Sequence, residues 1–95
     1  MKLTVVADVW VKPRHIKDLR PLFTELLDHT LKEEGCIEYS LHQDNEDKSH
    51  FMFYEIWETK AFWKKHLDQH HVVHFTKQTK EMIRDFKVKQ LSEVN

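Results

Sequence analysis

The segment CIEYSLHQDNEDKSHFMFYEIWE, residues 36–58, reads as two strands joined by a polar turn. In its second half Phe51, Phe53, Glu55 and Trp57 alternate with Met52, Tyr54, Ile56 and Glu58. That period of two sends successive side chains to opposite faces of a sheet. The charge-rich stretch DNEDKS between the strands suits an antiparallel hairpin. Both faces of the second strand carry large apolar groups, so both need cover.

Working outward, each side of the hairpin is flanked by a helical pattern. Upstream, between Arg14 and Glu34, Ile16, Leu19, Leu22, Phe23, Leu26, Leu27 and Leu31 form one amphipathic stripe. Pro21 lies inside it and removes a backbone donor, which predicts a kink or a late helix start, and Gly35 is placed to stop it in a left-handed conformation. Downstream, Thr59 is a good N-cap for a helix through KAFWKKHL, and a second helical stretch runs from about Val72 to Ile83. Outermost are two more strands. In LTVVADVWV, Val5, Ala7, Val9 and Val11 share a face opposite Val6, Asp8 and Trp10, and in DFKVKQL Phe86 and Val88 alternate with lysines. The order strand, helix, strand, strand, helix, strand is the split βαβ pattern of a ferredoxin-like α+β fold with a four-stranded antiparallel sheet. The 95 residues make a single domain over positions 1–95, too short to cover the second sheet face itself. A partner subunit is expected there.

Composition narrows the function classes. Fifteen basic and sixteen acidic side chains leave a formal net charge of -1, so no positive field gathers phosphate backbones and no nucleic-acid partner is expected. Cys36 is the only cysteine and Gly35 the only glycine. A lone cysteine forms no internal disulfide or thiolate cage, and a single glycine rules out a dinucleotide fingerprint, a phosphate-binding loop and a nucleophile elbow. The first apolar stretch is too short to span a bilayer and contains Asp8, which predicts a cytoplasmic protein without membrane association.

Four histidines fall in HLDQHHVVHF, residues 66–75. In one unbroken helix His66, His70 and His74 would form a stripe with successive members about 40° apart, but His66 and His74 would stand about 12 Å apart along the axis. One ion could take two of them, with a third ligand from elsewhere, such as His42 or a carboxylate, so the spacing predicts no metal site. Proton transfer asks for less: one imidazole near neutrality beside an aromatic-lined pocket suffices. Most of these histidines can equally be solvated or packed with one hydrogen bond, and the aromatics Phe51, Phe53, Trp57, Phe62 and Phe75 are core formers first.

LKEEGCIEYSLHQD followed by FYEIWETKAFWKKHLDQHHVVHF resembles the antibiotic-biosynthesis monooxygenase family of small dimeric α+β barrel proteins, especially its quinol-monooxygenase-like members. EEGC at the end of the first helix, the E-x-W of Glu55 and Trp57, the capping Thr59, and the histidines His66 and His71 carry the likeness. His70 stands where family members often have proline, which predicts a helix break around Asp68 to His70. The resemblance implies a homodimer whose sheets meet face to face, and a pocket in each subunit where a small aromatic quinol or polyphenol is oxidised by molecular oxygen without a cofactor. It also implies His66 or His71 as base or proton relay. Trp57 and Phe75 would be stacking walls, Glu55 or Tyr39 orienting polar groups, and Phe53 would help shape the pocket. Haem-degrading relatives share the fold and the tryptophan, but they use an asparagine in the first strand, and LTVVADVWV has none. A non-catalytic aromatic-binding module is the other alternative on this scaffold.

Overall fold

Alternation in the central hairpin produces the two strands expected of it. In the computed structural model, which describes residues 1–95, β2 (Cys36–Gln43) and β3 (His50–Trp57) are antiparallel, with Tyr39 opposite Glu55 and Leu41 opposite Phe53. β1 (Leu3–Val11) lies on the other side of β3, and β4 (Ile83–Leu91) closes the sheet in the order β2-β3-β1-β4. Three helices, α1 (Ile16–Thr30), α2 (Lys60–Leu67) and α3 (His70–Thr79), complete the ferredoxin-like α+β fold.

The helices cover one face. There Val5, Val9 and Val11 of β1 and Phe51, Phe53 and Trp57 of β3 are buried against Leu19, Phe23 and Leu26 of α1. Phe23 is the hub: its ring meets Phe51, Phe53 and Phe75 at centroid distances of 5.1, 5.6 and 5.6 Å. Burying such a ring stabilises the fold by roughly 1.5–3 kcal/mol. On the opposite face Val6, Trp10, Met52, Tyr54 and Ile56 are only half-buried, because no element of the chain lies over them.

Several boundaries differ from the sequence expectation for identifiable reasons. A 3-10 turn takes Pro13–His15, so α1 starts at Ile16 and runs through Pro21, whose position is exposed. α1 ends at Thr30 rather than near Glu34. Gly35 does adopt a left-handed conformation, at φ 84°, but it acts in the turn into β2. A Cβ on Gly35 would lie 2.2 Å from the Phe62 ring, so glycine is needed there twice over. α3 starts and stops earlier than expected, and Ile83 is the first residue of β4, opposite Val11, instead of the last of a helix.

The helix break falls where the family resemblance at His70 implies it. Thr59 caps α2 through its hydroxyl, which accepts from the Phe62 N–H, and α2 ends at Leu67. Gln69 is extended and begins α3, leaving His70 as the first helical residue. Proline suits that position because its missing N–H has no intrahelical acceptor there.

Candidate functional site

Between the sheet and its helices lies a cavity of about 480 Å³, mostly apolar, walled by Tyr39, Phe53, Trp63, Val72 and Phe75 among others. It opens along β4, where Phe86 stands opposite Val9 on the helix side of the sheet yet is 67 % exposed. β4 is an edge strand paired only with β1, and the helices do not roof it. Lys80, Arg84 and Asp85 line this mouth.

Two titratable groups reach the cavity from its floor and side. Glu55 points inward because β3 alternation puts it on the same face as Phe53, and it is only 4 % exposed. Burial, opposed by a hydrogen bond from Trp57 and reinforced by the charge of Glu33, pushes its carboxyl up to about 7. That bond runs from Trp57 Nε1 to Glu55 Oε1 at 3.0 Å. His66, 3 % exposed, is held against the Trp57 ring at 4.7 Å and the Tyr39 ring at 5.6 Å.

His66 has a fixed tautomer. Its Nδ1 lies 2.7 Å from Glu33 Oε2, and a carboxylate only accepts, so Nδ1 carries the proton. Nε2 makes no hydrogen bond within the protein and is left as an acceptor in a ring that lines the cavity. Burial holds the His66 pKa below the ordinary imidazole value, against the opposing pull of Glu33, so the ring is neutral at pH 7. His71 Nε2 donates to the same Glu33 Oε2 at 2.7 Å.

The expected site residues therefore separate into two groups. His66, Glu55, Tyr39, Phe53 and Phe75 all line the cavity. Trp57, expected as a stacking wall, is fully buried outside it and acts on the cavity through its bond to Glu55. His71 lies behind His66 on the far side of Glu33, outside the cavity lining. Tyr39 keeps its phenolic proton, since burial and then the Glu55 charge raise its pKa well above the ordinary value. Trp10 is on the other sheet face, stacked on His50 at 4.7 Å. His70 and His74 are exposed and stack on each other. Cys36 is no nucleophile at neutral pH, as burial followed by the charges of Glu33 and Glu55 pushes its thiol up to about 11.

Glu33 is the residue that sequence reasoning missed. The turn Leu31–Gly35 delivers it, with its own N–H on the Thr30 carbonyl and its carbonyl accepting from Cys36. It lies 33 and 38 positions from the two histidines, and its only signal in the sequence was its place in EEGC.

Comparison with known proteins agrees with this fold. A family model described as antibiotic biosynthesis monooxygenase matches residues 2–78. A crystal structure described as an antibiotic biosynthesis monooxygenase superposes with a TM-score of 0.94 at 31 % identity, over 98 % of this chain and 99 % of its own. PA3566 from Pseudomonas aeruginosa superposes with a TM-score of 0.93 at 28 % identity, over 99 % of this chain and 95 % of its own. Among curated relatives, the uncharacterized protein sll1783 of Synechocystis is 24 % identical over 81 residues, 85 % of this chain. The uncharacterized protein YjcS of Bacillus subtilis is 28 % identical over 68 residues, 72 % of this chain. The matches span 55 % and 65 % of those two relatives' lengths. No helix is long and apolar enough to cross a membrane.

Proposed function

The chain belongs to the antibiotic biosynthesis monooxygenase family, and from that premise we propose that it oxidises a small electron-rich aromatic, a quinol or polyphenol, with molecular oxygen and no cofactor. The observation that carries this reading is a neutral His66 with a free Nε2 in the same aromatic cavity as a Glu55 carboxyl near 7. A catalytic acid or base works best with a pKa near the working pH, and general acid–base catalysis contributes roughly 10²–10⁴-fold.

The residues divide the work as follows. Phe53, Phe75 and Trp63 hold the ring in an apolar cavity. His66 Nε2 takes the phenolic proton, and Glu33 stabilises the imidazolium that results, as its Nδ1 contact already orients the ring. Tyr39 and protonated Glu55 donate hydrogen bonds to the oxyanion. The electron-rich anion passes one electron to oxygen, and recombination of the radical pair forms a C–O bond. His66 returns its proton to the peroxide; Glu55 then protonates the departing oxygen while the carbon loses its remaining proton, which restores Glu55, so the O–O bond breaks, one oxygen atom stays on the ring carbon as a carbonyl and the other leaves as water. For a methylene carbon between aryl groups the balance is R₂CH₂ + O₂ → R₂C=O + H₂O.

The same reading gives the half-buried face of Val6, Trp10, Met52, Tyr54 and Ile56 to a second copy of the chain, in a face-to-face homodimer. Oxygen uptake against a panel of naphthohydroquinones and anthrones, with a chelator present, tests the activity. Stoichiometric consumption of oxygen and one aromatic supports it. Tight binding of an aromatic without uptake would instead assign the cavity to a ligand-binding module.

A further inference from the structure

Orienting a base takes one carboxylate and one imidazole, so His71 on the same Glu33 oxygen is surplus to that role. Glu33, His66 and His71 bring three metal-ligating atoms within 4.8 Å of one another. An ion held at about 2.0–2.1 Å from each, in angles from octahedral to tetrahedral, needs neighbouring ligand atoms about 2.8–3.4 Å apart. The two 2.7 Å contacts to Glu33 Oε2 must therefore open by less than about 1 Å, and the two imidazole nitrogens, within 4.8 Å of each other, must close to the same spacing. The ligands sit on three short segments that meet: the turn before Gly35, the last turn of α2 and the first turn of α3.

Two further features fit an ion. A second cavity, of about 110 Å³ and lined by Glu33, Glu34, Phe62, Lys65 and Gln69, leads to the carboxylate and offers room for water ligands. Glu33 also has no lysine or arginine partner, and its only ion-pair contacts are with the two imidazoles. A dication would neutralise that partly buried charge. We propose that Glu33 Oε2, His66 Nδ1 and His71 Nε2 bind one divalent transition-metal ion of the zinc class. Two imidazoles and a carboxylate favour such ions over magnesium and calcium, which prefer all-oxygen ligands.

Filling this site has a consequence that rests on the proposed oxygenase reading. A metal on Nδ1 moves the ring proton of His66 to Nε2, so the cavity loses its proton acceptor. The filled site is then the switched-off form of the enzyme.

Zinc titrated calorimetrically into the intact, chelator-treated protein tests the site, with cobalt absorption reporting the coordination number. One ion per chain is expected, with affinity falling more than about 100-fold in Glu33→Gln and His71→Ala, since even outer-shell losses cost 10–100-fold. The His70→Ala/His74→Ala double variant should bind as tightly as wild type. If His71→Ala loses fold by circular dichroism, His71→Gln takes its place. Binding that survives Glu33→Gln, or that disappears with His70 and His74, overturns the proposal and assigns the ion to the exposed pair. Because the titration reads binding alone, failure to oxidise any quinol leaves this site standing. An active oxygenase that binds no zinc removes the site and leaves the activity.

Discussion

Two histidine–carboxylate clusters sit on opposite faces of one sheet with inverse composition. On the helix side one carboxylate, Glu33, serves two imidazoles, His66 and His71. On the open side one imidazole, His50, lies between two carboxylates, Asp8 at 2.8 Å and Asp44 at 2.9 Å. With an acceptor at each nitrogen, the imidazolium form of His50 is favoured, and its hydrogen bonds to Asp44 and then Asp8 raise its pKa. His66 is driven the other way, chiefly by burial. The same side chains thus favour the protonated ring in one place and the neutral ring in the other, and what differs is burial and the number of carboxylates per ring.

The largest effect should come from removing the acceptor. His66→Ala is expected to lower kcat for oxygen uptake by about 10²–10⁴-fold, while the aromatic substrate still binds. Next is Glu55, whose raised pKa means the native state binds its proton more tightly than the unfolded chain does. Its contribution to stability is full below its ordinary 4.5 and is lost as pH rises through about 7. Glu55→Gln, which still accepts from Trp57, should therefore be more stable than wild type at pH 8 by on the order of 3 kcal/mol, with the gain vanishing near pH 4.5 in denaturant titrations. His66 has the opposite sign: its depressed pKa withdraws stability as pH falls below the ordinary imidazole range.

Glu33→Gln sharpens the comparison further. Without the carboxylate charge His66 becomes a weaker base, and the acid limb of the kcat–pH profile should move to lower pH, with kcat down by about 10–100-fold. The smallest effect belongs to the open face. Asp8→Asn should cost about 0.2–1 kcal/mol at low salt, because that pair is only part-buried. His50 has a raised pKa, so the deficit should be full below the ordinary imidazole value and disappear as pH rises through the raised one.

Sequence periodicity made most of the fold legible. Alternation identified the hairpin and both faces of β3 and Thr59 identified the start of α2, whereas the break before α3 came from the family resemblance at His70. The α3–β4 boundary was not legible, because Ile83 satisfies a helical stripe and a strand alternation equally well and its pairing with Val11 is a long-range choice. Of the candidate site residues, His66, Glu55, Tyr39, Phe53 and Phe75 line one cavity. The role of Glu33 depends on a left-handed Gly35 and a close Phe62 that set the turn, a three-dimensional coincidence with no local periodic signal. Trp57 lies outside the cavity lining, a placement its sequence does not reveal because an aromatic in a strand looks the same whether it faces a cavity or lies sealed beneath one.

Oxygen consumption by His66→Ala beside wild type, at saturating anthrone and with a chelator present, bears most directly on the proposed chemistry. We expect wild type to consume one oxygen per anthrone and the variant to bind anthrone with its rate reduced at least about 100-fold. Equal rates in the two proteins would show that no proton passes through His66 and would contradict the assignment of this cavity as a base-driven oxygenase site.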